Sequence, residues 1–374
     1  MAQRPAASFP VIVLFRGNAD LSSHRADFRA DERTAADPDA WGYLNRDVVG
    51  SVMALERRHG FRADHVYSAA VRGFAARLSA RQIDELEQDS DVAMVEPDGT
   101  MFAVAQTVPW GVARIDGGQA VNNVNVYIID TGIDTRHADL NVVGHVRFGS
   151  GPNADCHGHG THVAGTVAAR SNTIDVLGVA AGARLTGVKV LGCGGSGSTS
   201  DVIKGVDWVT KNAVAPAIAN LSLGGGASTA LDNAVKASAN SGVFYSVAAG
   251  NSGTDACTAS PARAGTHDGV MTTAAIDSND NEASWSNYGS CVDIWAPGVS
   301  ILSTRLKGGT TTMSGTSMAA PHVGGAAAVY LFFNPGVVSA ADVEVALKRS
   351  AIDTNTTSKS GAAIKLVCVG SCQP

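Results

Sequence analysis

Three short segments carry the side chains that acyl transfer through a serine requires. They are Ile129-Asp130-Thr131-Gly132, Gly158-His159-Gly160-Thr161-His162 and Ser314-Gly315-Thr316-Ser317-Met318. The reaction needs a hydroxyl as nucleophile, an imidazole that takes its proton, and a buried carboxylate that orients the imidazole and stabilises its cation. Because each segment supplies one of these groups, we expect Ser317, His159 and Asp130 to act together.

The same residue types occur in two other kinds of site. His157, His159 and His162 could form a metal cluster, but one short run lacks a remote fourth ligand. Asp130 in an Asp-Thr-Gly motif could suggest an aspartic protease, yet that chemistry needs two carboxylates that share a proton, and the motif occurs once. His162 and His322 are expected to be packed helix residues.

The elements that would position these groups alternate between strands and helices from Pro109 onward. Nearly continuous apolar runs, typical of buried parallel strands, predict strands at Asn125–Ile129, Leu185–Leu191, Ala217–Leu223, Val243–Ala248, Val270–Ala275 and Val292–Trp295. Helices are predicted at His162–Ala169, Ser200–Lys211, Thr229–Ser241 and Ser317–Phe332. Functional groups of such folds gather at the carboxyl ends of the strands, where Asp130 and Asn251 both stand.

Residues 1–104 have a different character, because they contain neither lysine nor cysteine. Their pattern predicts strands at Val11–Phe15, His65–Leu78 and Val92–Val95, and helices at Arg46–Arg58 and Ala80–Gln88. Ser79 and Asn45 are the expected N-caps of the two helices. We expect a small α/β plait that could fold alone, after a disordered stretch at residues 1–8.

Charge and cysteine usage limit the partners and the compartment. A net charge of −6, with no run of Lys or Arg, argues against nucleic acid or a membrane as partner. Six cysteines without metal-binding spacing indicate disulfides, and therefore an oxidising, extracellular compartment. Val11–Phe15 is too short for a signal-peptide core, so the expected secretion signal is absent from this sequence.

In chain order the three motifs run Asp, His, Ser, and together they resemble those of the subtilisin-like serine proteases. Residues 105–111 are similar to the start of a mature subtilase, and the region before them resembles the propeptide inhibitor domain of that family. The resemblance implies a subtilisin-like α/β fold, with a mostly parallel sheet flanked by helices, at 105–374. It also implies a small α+β ferredoxin-like propeptide domain at 1–104.

The activity that this resemblance implies is that of a secreted, monomeric serine endopeptidase, made as a zymogen that cuts itself before Ala105. Asp130, His159 and Ser317 would be the triad, and Asn251 would be the oxyanion-hole side chain beside the backbone N–H of Ser317. Substrates would be proteins and peptides, cut with broad specificity that favours apolar or aromatic residues, and the propeptide would be an intramolecular inhibitor. The alternative is a catalytically inactive homologue that binds or inhibits.

The resemblance also implies a substrate groove. Two edge segments, Gly195-Ser196-Gly197 and Ser222-Leu223-Gly224, would pair with an extended peptide as an added strand. Ala248, Ala249 and Gly250 would line one wall of the primary specificity pocket. The simpler interpretation is that these glycine-rich segments are tight turns.

Disulfides and calcium complete what the resemblance implies. The implied pairs are Cys156–Cys193 and Cys257–Cys291, which leaves Cys368 and Cys372 as a small terminal loop, although sequence alone does not establish connectivity. The implied structural Ca²⁺ site has oxygen ligands from Gln106, Asp139, Arg170, Asn172, Ile174 and Val176. Asp293 resembles a second-site ligand. Alternatively, Asp139 and Asn172 stabilise turns.

Overall fold

The computed structural model describes residues 8–16, 46–68, 71–99, 106–214, 216–337 and 339–373. The chain divides into two compact units, Met1–Ala103 and Val104–Pro374. Three expectations fall outside the described ranges: disorder at residues 1–8, of which only Ser8 is described, the cap at Asn45, and the cut before Ala105. None of the helices in the described ranges has the length and apolar character that a membrane crossing would require.

The described residues of the amino-terminal unit form a four-stranded antiparallel sheet, in the order β2-β3-β1-β4, and two helices. Its elements are β1 Phe9–Phe15, α1 Arg46–His59, β2 Ala63–Tyr67, β3 Gly73–Leu78, α2 Ala80–Glu87 and β4 Val92–Pro97. Helix α2 begins at a capping box, in which the hydroxyl of Ser79 accepts from Gln82 N and the Gln82 side chain accepts from Ser79 N. The expected small α+β fold is confirmed.

The prediction of one strand over His65–Leu78 is wrong, because the structure has the two antiparallel strands β2 and β3 there. A single strand over that range would extend roughly 45 Å, longer than strands in globular proteins usually run. Folding the run back pairs Val66 with Phe74 and allows Phe74 to be fully buried in the core of this unit. Because the apolar pattern continues where the chain turns back between β2 and β3, the pattern does not reveal that turn.

The carboxy-terminal unit is built on a nine-stranded sheet in the order β18-β19-β15-β14-β12-β10-β6-β9-β7. All neighbouring strands in it are parallel except β18 and β19, so the predicted mostly parallel sheet is confirmed. Its strands are β6 Asn125–Asp130, β7 Val142–Arg147, β9 Arg184–Lys189, β10 Ala217–Leu221, β12 Val243–Ala248, β14 Val270–Ile276, β15 Ile294–Pro297, β18 Ile352–Thr357 and β19 Ala363–Leu366.

The described part of this unit also contains three two-stranded sheets. They pair β5 Gln119–Ala120 with β8 Ala180–Ala181, β11 Gly225–Gly226 with β13 Ala259–Ser260, and β16 Ile301–Thr304 with β17 Thr310–Met313. The helices of this unit are α3 Trp110–Arg114, α4 His159–Ala168, α5 Thr199–Asn212, α6 Thr229–Asn240, α7 Thr316–Phe333 and α8 Ala340–Ser350.

Helices cover both faces of the nine-stranded sheet. Alternate residues of β6 enter two separate cores: Val126 and Ile128 belong to the core that α4, α7 and α8 also enter, and Tyr127 and Ile129 to the core that α5 and α6 enter. This alternation follows from the two-residue period of a strand. Because both faces are covered, the polar groups that matter for chemistry must stand at the strand ends.

The observed helices reproduce the predicted ones to within one residue at each end, with one exception. Helix α4 begins at His159, where we predicted a start at His162. The difference matters because it places His159 in the first turn of a helix, directly after the left-handed N-cap Gly158. Helix α8 and the β16–β17 and β18–β19 hairpins were not predicted.

Candidate active site

Strand β6 and helix α4 bring Asp130 and His159 together. Asp130 is the last residue of β6 and is fully buried. Its carboxylate oxygens lie 2.8 and 3.0 Å from Nδ1 of His159. Thr131 N also donates to Asp130 Oδ1, at 2.6 Å. A carboxylate held in this way fixes the imidazole tautomer, with the proton on Nδ1 and Nε2 free to accept one.

The pKa of His159 lies above its ordinary value. Burial by itself would lower that pKa, because it disfavours the cation. The charge and the hydrogen bond of Asp130, together with the charge of Asp155, act in the opposite direction and prevail. The imidazole is therefore prepared to hold a proton, as a general base must during turnover.

Asp155 organises the segment around His159, although the sequence analysis did not single it out. This buried carboxylate accepts five hydrogen bonds of 2.6–3.0 Å, from the hydroxyls of Thr131 and Thr161 and from the backbone N–H groups of His157, Gly158 and Thr161. It thereby fixes the turn that leads into helix α4. The only sequence signal was its position four residues before His159.

Lys189 lies fully buried beneath the same segment. It ends strand β9 in register with Asp130, and its ammonium donates to Thr131 O at 2.6 Å. Burial lowers the pKa of Lys189, while the charges of Asp155 and Asp130 oppose that shift. A buried cation is therefore matched to two buried carboxylates behind the imidazole.

Ser317 is the second residue of helix α7 and faces the same cavity as His159. That cavity has a volume of about 460 Å³, and both side chains line it. In this structure the Ser317 hydroxyl donates to Ser222 O at 3.0 Å, and the hydroxyl of Ser222 donates to Ser317 O at 2.8 Å. A rotation about the Cα–Cβ bond of Ser317 changes which acceptor its hydroxyl reaches, since serine has three staggered rotamers.

Asn251 follows strand β12, and hydrogen bonds to its side-chain oxygen fix the carboxamide in place. Oδ1 accepts from the backbone N of Thr316 at 2.8 Å and from the Thr316 hydroxyl at 2.9 Å. That hydroxyl in turn accepts from Gly250 N at 3.0 Å. With its oxygen engaged, Asn251 has its amide NH₂ available as a donor beside Ser317, and both residues line a second cavity of about 240 Å³.

The structure brings the predicted groove segments to these two cavities. Gly195-Ser196-Gly197 and Ser222-Leu223-Gly224 all line the larger cavity, together with His159 and Ser317. Ala248, Ala249 and Gly250 line the smaller one. Ser317 lines both cavities, so these three segments, from separate parts of the chain, all border the space around it.

His162 and His322 are packed residues, as predicted. Both are fully buried, and burial lowers the pKa of each to about 4. Nε2 of His162 lies 3.0 Å from Ile301 O, and Nδ1 of His322 lies 2.8 Å from Met318 O. Both rings are therefore neutral at ordinary pH and bonded to main-chain carbonyls.

Six of the predicted calcium ligands converge around one position. Nε2 of Gln106 lies within 2.6–3.3 Å of four oxygens: Asn172 Oδ1 and the carbonyls of Arg170, Ile174 and Val176. The fully buried carboxylate of Asp139 adjoins them through Asn172 Nδ2 at 2.7 Å and Val176 N at 3.2 Å. An amide has only two protons to donate, so it cannot satisfy all four of these oxygens. A cluster of oxygens of this kind fits a hard cation, which takes oxygen ligands.

Burial raises the pKa of Asp139, although the hydrogen bonds from Asn172 and Val176 lower it in part. A cation next to this carboxylate would offset that cost. Asp293 has a different setting, since it lies 2.6 Å from Lys348 Nζ and accepts from Thr272 N. Lys348 is shared between Asp293 and Glu344, and burial raises the pKa of Asp293 to about 6. The structure does not bring Asp293 into the set around Gln106.

The six cysteines form three disulfides, Cys156–Cys193, Cys257–Cys291 and Cys368–Cys372. The first two are the pairs that the resemblance implied, and the third closes the terminal loop. Cys156–Cys193 joins the segment before His159 to the segment before Gly195, so it links the base to one edge of the groove. The predicted presence of disulfides is confirmed.

An Asp–His pair and a serine at a helix start, gathered at the strand ends of a mostly parallel sheet, define the class of α/β serine hydrolases. Residues 121–365 match the family described as the subtilase family, and residues 11–103 match peptidase inhibitor I9. The chain belongs to the subtilase family, and it is a serine protease of that family with an inhibitor I9 domain in front.

Relatives with established names agree with this assignment. The "Extracellular serine proteinase" of Thermus sp. (strain Rt41A) is 46% identical over 299 residues, covering 74% of this chain and 70% of the relative. The "Alkaline serine exoprotease A" of Vibrio alginolyticus is 42% identical over 340 residues, covering 85% of this chain. This chain spans 62% of the length of that Vibrio protein.

A solved structure is similar as well. The crystal structure of a cold adapted subtilisin-like serine proteinase superposes with a TM-score of 0.64 at 42% identity. The match covers 70% of this chain and 98% of that chain. The predicted subtilisin-like fold is therefore confirmed.

Proposed function

We propose that this chain is the zymogen of a secreted, monomeric serine endopeptidase that hydrolyses peptide bonds through an acyl-enzyme on Ser317. The observation that carries the proposal is the bond of 2.8 Å between buried Asp130 and Nδ1 of His159, whose ring lines the same cavity as Ser317. It leaves Nε2 of His159 free to accept a proton, and both His159 and Ser317 line the cavity of about 460 Å³. An inactive binding protein, the alternative, has no specific observation in its favour.

In the proposed reaction, His159 Nε2 takes the proton of the Ser317 hydroxyl while the serine oxygen attacks the peptide carbonyl carbon. Asp130 stabilises the imidazolium that forms, and the amide of Asn251 and the N–H of Ser317 donate to the oxyanion. His159 then returns the proton to the leaving amine as the C–N bond breaks. Water, activated by the same imidazole, hydrolyses the acyl-enzyme and regenerates the Ser317 hydroxyl.

The groove proposal rests on the two edge segments at the larger cavity. Backbone at Gly195–Gly197 and Ser222–Gly224 can pair with an extended peptide, since glycine and serine make up both segments apart from Leu223 and let a substrate strand come close. The smaller cavity, of about 240 Å³ and bordered by Ala248, Ala249 and Gly250, would accept a medium or large apolar side chain. Cleavage of a peptide library should therefore favour apolar or aromatic residues before the cut.

Calcium would be held by the side-chain oxygens of Gln106, Asp139 and Asn172 and the carbonyls of Arg170, Ile174 and Val176. A bound ion would supply stability and not reaction chemistry, because this site joins segments far apart in sequence. Rotation of the Gln106 amide would direct Oε1, in place of Nε2, toward the ion. Asp293 is not part of this set, because its carboxylate bonds to Lys348 and Thr272 and to none of these six residues.

The proposed precursor cleaves itself between Val104 and Ala105, and its amino-terminal unit then acts as an intramolecular inhibitor. The match of residues 11–103 to a peptidase inhibitor supports this role. A sheet with many non-local pairings folds slowly, which gives a separately folding unit a use as a folding aid.

Ser317→Ala tests both parts of the proposal. The variant should lose turnover of a chromogenic peptide and labelling by a serine-directed covalent inhibitor, and it should stay at full length by intact mass. Ser241→Ala is the matched control, since it removes a hydroxyl in the same unit, at the C-cap of helix α6, that lines neither cavity. Wild-type turnover in Ser317→Ala would refute the nucleophile, and a shorter fragment from that purified variant would refute self-cleavage.

A further inference from the structure

One side chain, that of Asn287, makes several hydrogen bonds to the loop that carries Asn251. Asn287 is 3% exposed. Its Nδ2 donates to Ala249 O at 2.9 Å, and its Oδ1 accepts from Ser252 N at 3.0 Å and Thr254 N at 3.1 Å. One carboxamide therefore bonds to peptide groups on both sides of Asn251.

The main chain of Asn287 adds a further bond, because its N donates to Gly250 O at 2.8 Å. Gly250 has a left-handed backbone, with a φ of 106°, and a Cβ there would lie 2.4 Å from Asn287 Nδ2. The residue before Asn251 must therefore be glycine for the carboxamide to approach so closely. The main-chain groups that hydrogen-bond to the side chain and the N–H of Asn287 all lie between Ala249 and Thr254.

Asn287 is itself anchored to rigid parts of the fold. The hydroxyl of Ser286 donates to Asn287 O and accepts from Ala275 N in strand β14, both at 3.0 Å. The Lys359 ammonium donates to Ser286 O at 2.6 Å and to Ser284 O at 2.8 Å. The loop of Asn251 is thus connected through Asn287 to the central sheet and to the segment between β18 and β19.

We propose that Asn287 is a positioning residue of the oxyanion hole, which fixes the loop so that the Asn251 amide points where the oxyanion forms. The inference rests on the proposed role of Asn251. Donors in such a site must keep the productive geometry within about 0.5 Å. Because the oxyanion exists only in the transition state, loosening the loop should lower kcat far more than it changes KM.

The experiment is a double-mutant cycle with full kinetics, using a peptide ester or anilide and enzyme concentrations set by active-site titration. Asn287→Ala and Asn287→Ser should each lower kcat about 10- to 100-fold with KM changed less than about threefold, a loss bounded by the roughly 10²–10³-fold cost of removing an oxyanion-hole donor. Placed in an Asn251→Ala background, the same substitutions should change kcat less than about twofold.

Thr354→Val is the matched control. It removes a buried hydroxyl that donates to Ile364 O at 3.2 Å at the far edge of the sheet. It should lower the melting temperature and leave kcat unchanged, which separates lost stability from lost positioning. If Asn287→Ala does not fold, Asn287→Ser decides by the same criteria.

Two results would overturn the inference about Asn287 and leave the proposed role of Asn251 intact. One is wild-type kcat in both Asn287 variants while Asn251→Ala is impaired, and the other is an equal loss of kcat with and without Asn251. Wild-type kcat in Asn251→Ala would instead overturn the proposed oxyanion role of Asn251, and this inference with it.

Discussion

At the scale of single residues, the proposed chemistry depends on the protonation of His159. The imidazole acts as a base only when neutral, and Asp130 and Asp155 hold its pKa above the ordinary value of about 6.5. Activity should therefore be lost as the pH falls through that raised pKa. The two carboxylates contribute differently, since Asp130 bonds to the ring whereas Asp155 acts on it through charge.

Asp155→Asn should shift the acid limb of the kcat/KM profile to lower pH. Removing the negative charge destabilises the imidazolium, so the pKa of His159 falls and the neutral base persists at lower pH. The profile is measured with a substrate that does not titrate between pH 4 and 9. Asp353→Asn, an exposed carboxylate of β18 paired with Lys365, is the control and should leave the limb in place. An acid limb that stays at the same pH, or moves to higher pH, in Asp155→Asn would contradict the charge effect.

At the scale of elements, the site depends on how closely helix α4 approaches the end of strand β6. Gly160, the second residue of α4, lies against the turn after β6: a Cβ on it would stand 2.1 Å from Gly132 O and 3.2 Å from the Asp130 carboxylate. The N–H of Gly160 donates to the Thr131 hydroxyl at 2.9 Å. A helix start with any larger residue would be pushed away from Asp130.

Gly160→Ala should therefore be destabilising by about 1–3 kcal/mol, the usual cost of overpacking, and should lower kcat strongly. The added methyl group must move α4, and so His159, relative to Asp130. Melting curves and kcat of correctly folded enzyme are the measurements. Gly336→Ala is the control, since a Cβ there meets no atom within 4 Å. Normal kcat in Gly160→Ala would show that the close approach does not position the base.

At the scale of the whole molecule, stability is expected to depend on calcium. The proposed ligands come from a residue before α3, the segment before β7 and the loop after α4, so one ion would join three separate parts of the chain. Binding to the folded state alone stabilises by about 2.7 kcal/mol when free calcium is a hundredfold above Kd.

Strong chelation should lower the melting temperature of the wild-type protein, and Asp139→Asn should melt low with or without the chelator. Asp293→Asn is the matched control: it removes one of the two carboxylates that contact Lys348, outside the set around Gln106, and should keep its full response to chelation. Differential scanning calorimetry with added calcium or chelator measures both. A wild-type melting temperature that chelation does not move would count against the site.

Much of this architecture could be predicted because its signals are local. Buried parallel strands appear as apolar runs such as Asn125–Ile129, and helix α7 was predicted to within one residue. The capping box at Ser79 and Gln82 is a pattern of four residues. The run at His65–Leu78 was misjudged because apolar periodicity does not mark where a chain reverses.

Short motifs identify the class of fold, the family and the candidates Asp130, His159, Ser317 and Asn251, because a motif can be recognised without knowing how the chain packs. How those groups are held depends on contacts between distant parts of the chain. Asp155 bonds to Thr131, 24 residues away, Thr316 to Asn251 across 65, and Asn287 to Ala249 across 38. Hydrogen bonds between such distant positions, like the pairing of Asp293 with Lys348, are selected by chain packing, and no periodicity along the sequence encodes them.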